Sequence, residues 1–152
     1  MATLTQTFNR ETKKAHDDHY VLNEELHAMD LALEHLGNAF DDTETMAAAK
    51  QVQMIAAQLR DELPDHFLHE ELGILTTVAE VSPELDYFAR EMRRQHQSLL
   101  QNLERLRRAM ELLETGTETT AALIKVKTLG RAFSKELSRH IAAEEEELRG
   151  FL

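Results

Sequence analysis

Residues 82–117 read SPELDYFAREMRRQHQSLLQNLERLRRAMELLETGT, and the fold class follows from how they are spaced. Leu85, Phe88, Met92, Leu99, Leu103, Leu106, Met110 and Leu113 recur at steps of three and four, with His96 standing in the one gap of the series. That period draws a continuous stripe down one face of an α-helix. Ser82-Pro83 is a good start, a capping hydroxyl followed by the residue tolerated at the first helical position, and Thr115-Gly116-Thr117 is a stop.

The same pattern repeats on either side. His19, Leu22, Leu26, Met29, Leu33 and Leu36 form the stripe of a first helix running from near Asn9 to Leu36. Gly37 and Asn38, both suited to the left-handed conformation, end it. Asp41, Asp42 and Thr43 offer caps for a second helix with the stripe Val52, Ala56, Leu59, Leu63, His66, Glu70, which continues to about Glu80 and should be kinked at Pro64. The last helix carries Leu123, Val126, Gly130, Phe133, Leu137, His140 and Glu144 and runs nearly to the C-terminus. Four long helices joined by short links imply an all-α, up-down-up-down antiparallel four-helix bundle, with residues 1–152 forming one domain.

Composition agrees and narrows the function. Gly (5) and Pro (2) are scarce and Trp is absent, which favours long helices over turn-rich sheets. A formal net charge of -11, without any long Lys/Arg run, argues against nucleic acid and anionic membrane as partners. The absence of cysteine excludes disulfides, a thiolate nucleophile and any metal site built on sulfur from this chain. The first ten residues contain no apolar run like a signal peptide, and no stretch reaches the roughly 20 apolar residues of a membrane span, so the expected location is the cytoplasm.

Every stripe contains a histidine, and those of the second and fourth helices add a glutamate four residues later. Burying six such groups without partners would cost several kcal/mol for each charged one, so pairing or metal must hold them. Spacing by four places imidazole and carboxylate one turn apart on one face, within reach of a common dinuclear centre. The His-to-acid spacing is unspecific by itself, because 28 acids among 152 residues would give eight histidines one or two such pairs by chance. Placement carries the argument: both pairs lie in core stripes, and the other two helices put a histidine in the same register. Histidines hydrogen-bonded to glutamates in a metal-free interaction module are the alternative.

Asp18-His19 with Leu22 and Leu26, His66-Phe67-Leu68-His69-Glu70-Glu71, His96 with Leu99 and Leu103, and His140-Ile141-Ala142-Ala143-Glu144-Glu145 together resemble the four helix signatures of the hemerythrin-like (HHE cation-binding) family, over about Lys13 to Leu148. The resemblance implies terminal imidazoles from His19, His66, His96 and His140, with Glu70 and Glu144 bridging two iron ions that share an oxo or hydroxo group. Manganese and zinc are substitutes for iron. It implies a small ligand, dioxygen, nitric oxide or hydrogen peroxide, at an open iron position, with iron sensing or delivery and an iron–sulfur repair role as alternatives. Repair proteins that it resembles carry a cysteine-containing region that is missing here. Oxygen carriers of the family present a second histidine one turn before the third-helix ligand, where this sequence has Met92.

His16, one turn before His19, and Glu145, beside Glu144, compete for places in this set. His27 and His35 lie more than two turns beyond His19, too far to share its metal, and are read as surface residues; His69 and Glu71 point to other faces of the second helix, and Tyr20 is assigned to packing. A ferritin-like centre would need Glu-x-x-His on two helices, and only Glu24–His27 fits.

Overall fold

The computed structural model of the chain describes residues 4–150. Four long helices, α1 (Leu4–Gly37), α2 (Asp42–Leu72), α4 (Pro83–Glu114) and α5 (Thr119–Arg149), are joined by short links, and a single short helix, α3 (Ile74–Ala79), lies between α2 and α4. There is no strand among the described residues. Backbones approach closely in the cyclic order α1, α2, α4, α5, while the diagonal pairs meet only through side chains in the interior. Four such helices form a square bundle with one shared interior. No helix among the described residues is long and apolar enough to cross a membrane.

The ends of the helices follow local chemistry. Asp41 accepts a hydrogen bond from the Glu44 amide at 2.8 Å, and Ser82 accepts one from the Leu85 amide at 3.2 Å with Pro83 behind it. At the end of α4 the Thr117 amide returns to the Leu112 carbonyl and the Gly116 amide to that of Leu113, a double closure in which Gly116 takes a φ of 73°. Helix α2 passes Pro64 without a break, and the freed Arg60 carbonyl lies on the exposed side of the helix, where water can satisfy it.

Four expectations need correction. Helix α1 begins at Leu4, five residues early, because Phe8 packs on an apolar cluster that holds the extra turn in place. Gly37 remains inside α1, and neither it nor Asn38 is left-handed; among the described residues that conformation belongs to Gly116 and Glu118. The second helix stops at Leu72, since Gly73 breaks its course with φ -103° and ψ -94°. The chain turns there and sends α3 across the end of the bundle, with the Glu11 carboxylate lying in the space beside Gly73 where a side chain would begin. Tyr20 is 68% exposed and packs into no core.

Two apolar clusters result. The larger runs along the bundle from Leu22 on α1, Phe67 on α2, Leu99 on α4 and Ile141 on α5 towards the far end. The smaller caps the near end, where Ile74, Leu75 and Val78 of α3 meet Phe88, Ala89 and Met92 of α4 and Leu148 of α5. His96 on α4 and Glu144 on α5 fall between the two, and His140 lies at the edge of the larger, so a polar layer has apolar packing on both sides. At the far end α5 approaches α1 closely, and a Cβ on Gly130 would lie 2.9 Å from Leu33 Cδ2.

Gly130→Leu should therefore lower stability by about 2 kcal/mol or more in urea denaturation. Because the two positions touch, Leu33→Ala combined with Gly130→Leu should cost less than the sum of the single changes.

Candidate metal centre

The polar layer is built by one or two residues from each long helix. His19 comes from α1, His66 and Glu70 from α2, His96 from α4, and His140 and Glu144 from α5. All six are buried, Glu144 completely and the others to at least 93%. Two groups form: Glu70, His96, His140 and Glu144 have donor atoms within 4.8 Å of one another, and so do His19, His66 and Glu70. Glu70 belongs to both, while Glu144 reaches across to place Oε2 3.4 Å from His19 Nε2. The six side chains named from the sequence thus meet in one place.

The outer nitrogen of every imidazole is tied down. His19 Nδ1–H donates to Glu145 at 2.8 Å, His66 to Asp18 at 3.1 Å, His96 to Glu71 at 3.1 Å and His140 to the Gln95 amide oxygen at 2.8 Å. These partners follow the cyclic order of the helices: α1 serves α2, α2 serves α4, α4 serves α5 and α5 serves α1. Because a carboxylate only accepts, each of its imidazole partners must carry its proton on Nδ1, which turns Nε2 inward as a lone pair. Phe67 stacks on the His96 ring at 3.9 Å and 8°, which fixes its tilt.

Inside the layer the donors are poorly matched to one another. His19 Nε2, His66 Nε2, both oxygens of Glu70 and Glu144 Oε2 make no hydrogen bond, although imidazole nitrogens lie 3.1 Å to 3.4 Å from the carboxylates. His96 Nε2 and His140 Nε2 face each other at 3.1 Å. With both Nδ1 positions donating outward, two lone pairs meet there unless a positive charge lies between them. Nitrogen and oxygen donors without sulfur suit iron, manganese or zinc, so the residues fit a metal centre.

In the metal-free chain, protons supply that charge. Burial opposes charging His19 and His96, yet the carboxylates of Glu144 and Glu70 outweigh it and raise His19 to about 11 and His96 to about 9. His66 is raised as well, against burial, by Glu70 and Asp18. Burial disfavours the Glu144 carboxylate, but Glu70, His140, His19 and His96 hold it well below the usual range.

The remaining candidates fall outside. Glu145 is not in the layer; its half-buried carboxylate binds His19 and, at 3.0 Å, the largely exposed His16. His27 and His35 are exposed, and His69 turns towards Glu11 at 3.5 Å. Glu71 does point away from the centre, as expected of it, but it orients His96. What sequence reasoning missed is the imidazole-orienting role of Asp18, Glu71, Gln95 and Glu145, of which Glu145 was weighed only as a rival ligand and Glu71 only as pointing away. Each adjoins one of the six in the chain, a usable signal, but each serves a residue on another helix.

One buried carboxyl lies apart from the layer. Glu25 has no hydrogen-bond partner on either oxygen, and burial together with the neighbouring Glu62 pushes it up to about 8.

Comparison with known proteins agrees with this geometry. The family model described as the hemerythrin HHE cation binding domain matches residues 11–152. No curated protein and no solved structure matches the chain.

The pH dependence of the metal-free protein follows from these shifts. Folding raises His19 and His96 above their ordinary 6.5, so their contribution is complete below that value and is lost as pH climbs through about 9 and 11. Glu144 is lowered, so its contribution is present above 4.5 and is lost as pH falls below it. Denaturation midpoints of chelator-treated protein should decline on both sides, and metal-loaded protein should not show the alkaline decline, because metal replaces the protons.

Proposed function

The chain belongs to the hemerythrin HHE cation-binding family, and on that premise we propose that His19, His66, His96, His140, Glu70 and Glu144 hold two iron ions at which a small oxidant binds. The observation that carries this reading is the set of inward donors: His19 Nε2, His66 Nε2, both oxygens of Glu70 and Glu144 Oε2 have no hydrogen-bond partner, and His96 Nε2 and His140 Nε2 crowd one another beside Glu144 Oε1. Glu70 lies in both donor groups and Glu144 spans them, the positions expected of bridging carboxylates.

Four imidazoles and two bridging carboxylates supply about eight donor atoms, against roughly twelve positions around two octahedral ions. Iron bound there supplies redox and Lewis-acid chemistry at the positions the chain leaves free. The residues of the chain do the rest. Asp18, Glu71, Gln95 and Glu145 orient the imidazoles, and the apolar clusters above and below exclude bulk water.

Access is narrow. A cleft of about 490 Å³ between α1 and α2 has Asp18, Leu22 and His66 in its wall and offers dioxygen, nitric oxide or hydrogen peroxide a way to the edge of the layer. Met92 closes the opposite side as part of the apolar cap, where a further imidazole would otherwise add a donor. Fewer protein donors favour reaction with an oxidant over simple storage of oxygen.

Elemental analysis should find about two iron ions per chain after anaerobic loading with ferrous iron. An optical band in the near ultraviolet should appear on exposure to air. Glu70→Ala and Glu144→Ala should each lose most of the metal while remaining helical by circular dichroism. A wild-type protein that takes up no iron and binds no oxidant would leave only the metal-free interaction module.

A further inference from the structure

Three of the four imidazoles in the layer lean on a carboxylate, and the fourth does not. His140 donates to the neutral amide oxygen of Gln95 at 2.8 Å. The amide cannot turn round, because its nitrogen donates to Glu91 at 3.2 Å and a carboxylate offers no hydrogen in return. Arg94 in turn grips Glu91 through its Nε at 3.0 Å. The chain Arg94, Glu91, Gln95 thus fixes which end of the amide His140 meets.

A carboxylate drawing on Nδ1–H loads electron density onto the imidazole and strengthens the opposite nitrogen as a donor; a neutral amide does so less. On the α1–α2 side both histidines have carboxylate partners, Glu145 and Asp18. On the α4–α5 side only His96 does. We propose that Gln95 is a positioning residue that makes the α4–α5 half of the centre the poorer electron donor, so that the two metal positions differ in affinity. The inference rests on the two-metal reading above.

The test is a calorimetric and optical titration of the metal-stripped full chain with Co²⁺, which reports two binding steps separately. The double change Glu91→Gln/Gln95→Glu exchanges amide and carboxylate while keeping the net charge of the chain, and places the carboxylate against His140. It should tighten one step about tenfold and leave the other within about twofold. The tightened step should be the one that Glu71→Gln weakens, whereas Asp18→Asn should weaken the other. Gln95→Met, which removes the acceptor without adding charge, should weaken the same step as Glu71→Gln and serves if the exchanged pair does not fold. Steps that are unchanged, or that move together in the exchanged pair and Gln95→Met, would overturn the inference while leaving the metal reading intact. Failure of the wild-type chain to bind Co²⁺ at all would overturn both.

Discussion

Six polar side chains buried in an apolar bundle require positive charge, and the rest of this structure is arranged around that need. Two glutamates and four inward-facing imidazole lone pairs would repel one another across a few ångströms of low-dielectric interior. Protons satisfy the set in the metal-free chain, which is why histidines next to Glu70 and Glu144 hold theirs so far above the ordinary range. Metal cations held there would meet the same need with more charge and with directed bonds. The site is therefore a place where cations compete with protons, and its acid–base behaviour and its metal affinity are two views of one electrostatic balance.

The geometry that supports the layer is cooperative around the bundle. Each long helix contributes inward donors and also the outward partner of its neighbour's histidine, so no helix can rotate or slide without breaking a hydrogen bond on an adjacent one. Asp18 and His19, adjacent on α1, face different tasks: His19 enters the layer and Asp18 holds His66. The same division separates Glu70 from Glu71 and Glu144 from Glu145. An assembly of this kind keeps the donors aimed inward before any ion arrives, which reduces the reorganisation needed on binding.

The apolar clusters decide what can reach the layer. The larger gives the bundle its stability, while the cap made by α3, Met92 and Leu148 owes its place to the break at Gly73. Had α2 continued to Glu80, the near end would have lacked Ile74, Leu75 and Val78 as a lid. The turn at Gly73 thus bears directly on how dry the centre is.

The helices and the six inward residues were legible in the chain because both depend on a local period. A stripe at steps of three and four is set by the 3.6-residue turn, and a histidine within it must face whatever the stripe faces. Stripe phase likewise separated Glu144 from Glu145. The early start of α1, the stop at Gly73 and the left-handed Glu118 were not legible, because each is decided by a contact or a closure outside the helix concerned. The ring of Asp18, Glu71, Gln95 and Glu145 was hidden for the same reason. Which oxygen meets which imidazole depends on how neighbouring helices are rotated about their axes and set in height, and only packing of the four against one another determines that.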